Sequence, residues 1–166
     1  MAEPVVVRVT QRYNLPAARV FDAWLTPAQA ARFLFTTRTG NVLQCEIDAR
    51  VGGGFTVTDR RPNADGDDSF YEAQHRGVYV EMVRPTRLAF DFGIEPLTPD
   101  STTRVTIDVV PLGVSICELV LTHELGNSLD ARANAERARQ GWTRMLEQLN
   151  KVLNTRIWGF KAPGGA

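Results

Sequence analysis

The sequence predicts an α+β fold in which a curved antiparallel sheet wraps around one long C-terminal helix. From Leu129 to about Asn154 the chain has no proline, and apolar residues recur every three or four positions, as in an amphipathic helix. About six to seven strand-like segments precede this helix. Short turns join most of these segments, which favours antiparallel pairing because parallel strands need long crossovers. Two short helical segments follow the first strand.

The N-terminal part predicts one strand and then the two short helices. Val5 to Tyr13 is rich in β-branched residues and is the first predicted strand. Pro16 favours a helix start, and the segment from Ala17 to Trp24 has helical spacing. Thr26 followed by Pro27 is typical of a cap and a first helical position, so a second helix is predicted as far as about Phe33.

The middle of the chain alternates strand-like segments with turns. The predicted strands are Val42 to Asp48, Phe55 to Thr58, Tyr71 to Val83, Arg87 to Phe92, Thr103 to Val110 and Val114 to His123. Turns are predicted at Gly52–Gly54, Arg84–Thr86 and Pro111–Gly113, and polar loops at Pro62–Ser69 and Gly93–Ser101.

The long helix has one apolar stripe that must be buried. Ser128 is a predicted N-cap, and Asp130 stands in the first turn. The stripe comprises Ala135, Ala138, Trp142, Met145, Leu146, Leu149, Val152 and Leu153. Burying six to eight such side chains contributes roughly 10–20 kcal/mol, comparable with the net stability of a whole domain. We therefore expect the helix to lie on the concave face of the sheet, with a pocket between the two.

The length and net charge of the chain limit the domain organisation and the kinds of partner that it could have. The 166 residues fit one domain, which we predict to span 1–154, with a C-terminal tail over 155–166. Nineteen basic and nineteen acidic side chains give no net charge, which argues against nucleic-acid or anionic-membrane partners. We see no signal peptide or bilayer-spanning segment and expect a cytoplasmic protein. Cys45 and Cys117 are predicted to be reduced core thiols.

The sequence offers little support for a metal or cofactor. The two histidines are distant in the sequence, and no CxxC pair is present, so no metal site is predicted. The glycines at 52–54 lack the lysine and helix of a phosphate-binding loop, and we predict no cofactor.

Apolar side chains that would face the pocket are the predicted ligand-binding residues. Aromatic residues near the short helices would lie at its mouth, inward residues of the strands would form its wall, and the long helix would cover it. The set is Trp24, Phe33, Phe35, Phe55, Tyr79, Leu88, Phe90, Phe92, Leu121, Trp142 and Met145. Ordinary core packing is the competing explanation for these aromatic residues. Tyr79 shares its strand parity with Glu81, so both could face the pocket or both could face solvent.

His123 is the candidate catalytic residue. It follows Leu119 and Leu121 on the inward face of the last strand. A general acid or base at this position would need a partner, which Glu81 or Asp91 could supply only if it turned inward. A histidine that is merely hydrogen-bonded is the simpler explanation.

Five segments in the right order resemble the AHSA-type domain, named for the activator of the Hsp90 ATPase, of the START-like (SRPBCC) superfamily. They are 15–33, 47–55 with Asp48, Arg50, Gly52 and Gly53, then 77–92, 119–125 and 139–153. The resemblance implies the helix-grip fold and a cavity between sheet and helix that holds apolar or amphipathic molecules. Some branches of the superfamily perform cyclisation or related chemistry in this cavity.

Three functions are therefore compatible with the sequence. The first is binding of a hydrophobic or amphipathic small molecule in the cavity. The second is a cyclase- or hydrolase-like enzyme that uses His123. The third is a stress-related protein that has the Hsp90 chaperone as its partner. A dry apolar pocket favours the first, a buried and paired histidine the second, and a large exposed apolar patch the third.

Overall fold

One antiparallel sheet of seven strands and one long helix dominate the structure, a computed structural model that describes residues 3–35, 41–62, 69–95 and 102–154. The strands are β1 (Val5–Tyr13), β2 (Asn41–Ile47), β3 (Gly54–Pro62), β4 (Phe70–Val83), β5 (Arg87–Glu95), β6 (Thr103–Gly113) and β7 (Ile116–Gly126). The helices are α1 (Ala17–Ala23), α2 (Pro27–Ala30) and α3 (Leu129–Asn154). The α+β helix-grip architecture predicted from the sequence is confirmed.

The strand order is β1-β7-β6-β5-β4-β3-β2. Each strand from β2 to β7 pairs with its neighbour in sequence, whereas β1 pairs with β7 at one edge of the sheet. The segment containing α1 and α2 therefore connects one edge strand, β1, to the other, β2. The long helix packs against β1 and β7, and α1 packs against β6 and β7.

Most predicted boundaries agree with the structure to within a few residues. The bounds of β1 and α3 are those predicted, and the Ala131 N–H donates to the Ser128 hydroxyl at 3.0 Å, which confirms the predicted N-cap. Four strands run further than predicted at their C-terminal ends, because β3, β5, β6 and β7 continue to Pro62, Glu95, Gly113 and Gly126. The turn placed at Pro111–Gly113 instead falls at 114–115, and α2 ends at Ala30 rather than near Phe33.

Two backbone carbonyl groups of α3 accept long-range hydrogen bonds that help fix this helix to the rest of the domain. The Tyr13 hydroxyl of β1 donates to the carbonyl oxygen of Leu146 at 2.8 Å, in a buried position. The Arg19 guanidinium of α1 donates to the carbonyl oxygen of Leu153 at 3.1 Å. Burial raises the pKa of Tyr13, so this hydroxyl keeps its proton and remains a donor. The C-terminal half of the helix is thus held by hydrogen bonds as well as by its apolar stripe.

A β-bulge in β4 decides the orientation of Tyr79 and Glu81. Tyr79 pairs with Phe90, but the next paired residues are Glu81 and Ala89, so the register shifts by one residue. Tyr79 is consequently buried, while Glu81 lies exposed and contacts Arg87 at 3.7 Å. An extra residue in one strand reverses the alternation beyond it, which is why parity alone did not separate these two side chains.

The glycine-rich turn before β3 brings backbone segments into close contact. Gly52 has a φ of +88°, and its N–H donates to the Tyr79 carbonyl oxygen at 2.9 Å. A Cβ on Gly53 would overlap the Asp48 backbone, and one on Gly54 would overlap the Gly77 carbonyl group. The carboxylate of Asp48 accepts hydrogen bonds from the Arg50 guanidinium at 3.0 and 3.1 Å beside this turn.

Several sequence predictions lie outside the described residues. They include most of the polar loops at Pro62–Ser69 and Gly93–Ser101, and the tail with Trp158 and Phe160. Among the described helices, none combines the length and the apolarity that crossing a bilayer requires.

Candidate functional site

The predicted ligand-binding residues meet in one buried cluster between the sheet and α3. Each of the aromatic and leucine side chains in the set is at most 7% exposed, and Met145 packs partly buried against them. Trp24 lies in the turn after α1, Phe33 and Phe35 lie in the turns after α2, and Trp142 and Met145 come from α3. Phe55, Tyr79, Leu88, Phe90, Phe92 and Leu121 come from the sheet. The structure therefore places these residues together, and whether a ligand binds them stays a prediction.

Phe35 occupies the centre of this cluster. Its ring is parallel to those of His75 and Phe92, with ring centroids 4.2 and 5.2 Å apart, and meets Trp142 edge-on at 5.8 Å. Its backbone N–H donates to the Met145 sulfur at 3.3 Å. Its φ of 56° is in the left-handed region, which is an outlier for a bulky side chain. Residues held in such conformations concentrate at binding sites.

His75 and Phe92 form a flat floor under the Phe35 ring. Their rings are parallel within 2°, with centroids 6.3 Å apart. If Phe35 lay between them, two stacking distances of about 3.5 Å would separate them by about 7 Å, which exceeds the observed distance. The rings of His75 and Phe92 therefore both lie on the sheet side of Phe35. Two residues of α3 contact Phe35 as well: the Trp142 ring meets it edge-on, and the Met145 sulfur accepts its backbone N–H. Phe35 covers His75 from the helix side.

His123 is fully engaged by protein partners. The Trp142 indole N–H donates to Nδ1 of His123 at 3.0 Å. An indole N–H can only donate, so Nδ1 is unprotonated and the neutral ring carries its proton on Nε2. That N–H faces the Thr103 hydroxyl at 2.6 Å and donates to it. Burial lowers the pKa of His123 to about 4, which keeps the ring neutral near pH 7.

The partners considered for a catalytic His123 point elsewhere. Asp91 accepts a hydrogen bond from Arg104 at 2.6 Å, and Glu81 faces Arg87. Because both ring nitrogens of His123 already have partners, neither is left to exchange a proton with a bound molecule in this conformation. Catalysis by His123 stays a prediction.

A second buried polar group, not foreseen from the sequence, surrounds His75. The Asp59 carboxylate accepts a hydrogen bond from the Arg61 guanidinium Nε at 2.9 Å and lies 3.2 Å from Nε2 of His75. The Arg61 Nη2 is also 3.1 Å from that same nitrogen. Asp59 and His75 are at most 1% exposed. Strand parity could have found them, because Asp59 alternates inward with Phe55 and Val57, and His75 with Ala73 and Tyr79.

The ionisation of this group follows from burial and pairing. Burial by itself raises the pKa of Asp59, but its hydrogen bonds with His75 and Arg61 and the Arg61 charge outweigh it, so this pKa is lowered. Burial lowers the pKa of His75, and the nearby Arg61 charge adds to this, against the opposing effect of Asp59. The stable state at neutral pH is therefore a charged Asp59–Arg61 pair beside a neutral His75.

Three buried polar atoms of the cluster find no hydrogen-bond partner among the described residues. They are Nε1 of Trp24, Nδ1 of His75 and the hydroxyl oxygen of Tyr79. Burial raises the pKa of Tyr79, so its hydroxyl stays protonated and can donate. Leaving such a group unpaired in a protein interior costs about 1–3 kcal/mol, so each is a position where a ligand atom or a water molecule would be stabilised.

Two other features of the described residues concern metal binding and surface pockets. No group of three or more His, Cys, Asp or Glu side chains there is arranged to hold a metal ion. A surface pocket of about 460 Å³ lies away from the aromatic cluster, between the ends of β4 and β6, and is lined by Val83, Thr86, Arg87, Asp108, Val109, Val110 and Pro111.

Comparison with known proteins identifies the family. The family model described as "Activator of Hsp90 ATPase homolog 1-like protein" matches residues 14–154. The chain belongs to this family. The resemblance stated from the sequence is thereby confirmed, and the family match ends at the last residue of α3. None of the curated proteins matches the chain.

Solved structures of several proteins share the fold. A protein from Chromobacterium violaceum is 25% identical, with a TM-score of 0.70 over 90% of this chain and 97% of its own. A Staphylococcus aureus protein of unknown function is 14% identical, with a TM-score of 0.74 over 94% and 97%. An Hsp90 activator from Plasmodium falciparum is 19% identical, with a TM-score of 0.64 over 89% and 95%.

Proposed function

We propose that this protein binds a hydrophobic or amphipathic small molecule between the concave face of its sheet and α3. One observation carries the proposal: an interior built of aromatic side chains contains buried donors, Trp24 Nε1 and the Tyr79 hydroxyl, that lack protein partners in the described structure. A purely structural core pairs its polar groups or omits them. An apolar ligand with a few polar atoms would pack against the aromatic side chains and accept hydrogen bonds from these two donors.

Ligand entry requires a side chain to move, because aromatic rings fill the described interior. Phe35 is the side chain best suited to do so. It contacts the sheet and α3 at once, and it follows the short helix α2 rather than standing within a strand. Its left-handed backbone stores about 1–2 kcal/mol of strain, which a displaced conformation would relieve.

Native mass spectrometry of gently purified protein tests this proposal. A discrete added mass is expected on the wild type. Phe35→Ala, which enlarges the interior, should increase the fraction of protein that carries an added apolar probe, 8-anilinonaphthalene-1-sulfonate. Phe70→Ala is the matched control, since Phe70 is 56% exposed and lies outside the cluster. A clean apo mass for all three proteins, together with no probe binding, would refute the proposal.

A second candidate function is partnership with the Hsp90 chaperone. The family is described by Hsp90 activation, and one of the similar structures is an Hsp90 activator. In addition, Val83, Val110, Leu112 and Val114 are exposed at one end of the sheet, where Val83 and Val110 line the surface pocket. Clusters of exposed apolar side chains are typical of interaction sites.

Stimulation of Hsp90 ATPase activity by the purified protein tests this second function. Leu112→Glu combined with Val114→Glu should abolish the stimulation, because the charges would disrupt an apolar contact. Val51→Glu is the control, since Val51 is comparably exposed in the glycine-rich turn. An ATPase rate that stays at its basal value over a wide concentration range would exclude this partnership.

A further inference from the structure

We propose that His75 is the polar anchor of the ligand site, where its Nδ1 hydrogen-bonds a hydroxyl group carried on the apolar ligand. This inference rests on the proposed function and specifies the chemistry of the ligand. No site predicted from the sequence includes this histidine.

The position of His75 supports a role toward the interior. The residue lies on the inward face of β4, between Val57 of β3 and Ile94 of β5 in the sheet, and its side chain is 1% exposed. Its ring forms the floor beneath Phe35, so displacement of Phe35 uncovers it. A ligand that replaces the Phe35 ring therefore enters next to His75.

The buried partners of His75 hold its ring from one side only. Nε2 faces the Asp59 carboxylate at 3.2 Å and the Arg61 guanidinium at 3.1 Å, whereas Nδ1 has no partner among the described residues. Asp59 is itself held by Arg61 at 2.9 Å. Asp59 and Arg61 are thus positioning residues, and Nδ1 is the atom left for a ligand.

A hydroxyl group on the ligand can pair with Nδ1 whichever neighbour of Nε2 sets the tautomer of His75. If Nε2 carries the proton and donates to Asp59, Nδ1 is an acceptor. If Nε2 accepts from Arg61, Nδ1 carries the proton and is a donor. A hydroxyl group both donates and accepts, so it pairs with Nδ1 in either tautomer. An ammonium group would suit only the first tautomer, and a carboxylate only the second.

A matched pair of probes, 2-naphthol and naphthalene, tests the anchor by equilibrium dialysis. The measured quantity is the ratio of the two dissociation constants in the wild type and in His75→Phe, which keeps a flat ring but removes Nδ1. One neutral hydrogen bond corresponds to about a fivefold change in affinity, so His75→Phe should shift the ratio by about fivefold against 2-naphthol. Phe70→Ala should leave the ratio unchanged.

A second measurement keeps the test valid if His75→Phe fails to fold. In the ¹⁵N-labelled wild type, 2-naphthol should shift the Nδ1 resonance of His75, and naphthalene should shift it much less. Binding of both probes with the same ratio in both proteins, or with no Nδ1 shift specific to 2-naphthol, would overturn the anchor and leave the cavity proposal standing. If neither probe binds the wild type, both proposals fail.

Discussion

The indole N–H of Trp142 donates to Nδ1 of His123 at 3.0 Å, and this bond joins α3 to β7 in the buried centre of the domain. It sets the tautomer of His123, which in turn directs the Nε2 proton to Thr103 of β6. Three consecutive elements, β6, β7 and α3, are thereby linked through one imidazole ring. Trp142 thus has a structural role that the helical periodicity of α3 did not reveal.

We predict that Trp142→Phe destabilises the protein more than Trp24→Phe does. The first change leaves Nδ1 of His123 buried without its donor, which costs about 1–3 kcal/mol in addition to lost packing. The second removes an indole N–H that has no partner among the described residues. Both indoles are at most 3% exposed, so the comparison is matched for burial. Urea unfolding measures the loss of stability in each variant. Equal losses of stability would contradict the assigned hydrogen bond.

Stability should fall between pH 6.5 and about 4 because His123 is buried as the neutral ring. Its pKa is about 4 when folded and 6.5 in the ordinary case, so below pH 6.5 the unfolded chain binds the proton first and unfolding becomes more favourable. Over this whole pH range, the free energy of unfolding should fall by about 3 kcal/mol.

His123→Gln provides the control for this pH dependence. The amide can accept from Trp142 and donate to Thr103 without titrating, so the slope of unfolding free energy against pH should become shallower in that window. His75 and Asp59 are retained in both proteins and do not affect the difference. Parallel curves for the two proteins would show that His123 is not responsible.

Gly141→Ala should stabilise the protein. A Cβ at Gly141 meets no described atom within 4 Å, and glycine inside a helix costs about 1 kcal/mol relative to alanine. For a chain of this size the melting temperature should rise by about 2–4 °C. A drop in the melting temperature would mean that a close contact with this glycine exists after all.

Gly77→Ala should destabilise the protein by about 1–3 kcal/mol, the usual cost of overpacking. Phe55 of β3 pairs with Gly77 of β4, and a Cβ on Gly77 would overlap the Phe55 ring. Adding Phe55→Leu to this variant should recover part of the loss, because the smaller side chain leaves room for the new methyl group. Thermal melts of the two single variants and the double variant give the coupling. Strict additivity would refute the contact.

Much of the fold could be predicted because it depends on local periodicity. The apolar spacing of α3 gave its bounds, and alternation along the strands placed Leu88, Phe90 and Leu121 on the inward face. The bulge after Tyr79 could not be predicted, since one extra residue is invisible to a pattern of period two.

The site itself was predictable in its apolar members and less so in its polar ones. Aromatic side chains are expected to be buried because they are apolar. Asp59 and Arg61 stand in a polar segment, and they become partners of His75 only through the β3–β4 register. The pairing of His123 with Trp142 likewise depends on how α3 lies against β7. Strand parity indicates that Asp59 and His75 face inward, but which side chains pair there follows from tertiary geometry.

The pairing of β1 with β7 has a consequence during synthesis on the ribosome. Val7 of the first strand stands opposite His123 of the last, so one edge of the sheet waits for its partner until nearly the whole domain has been translated. At about 5–20 residues per second, this delay is roughly 6–23 s for the 116 positions that separate these two residues. Hairpins from β2 onward can form as they emerge, but the N-terminal strand stays unpaired and available to chaperones until the C-terminal strand appears.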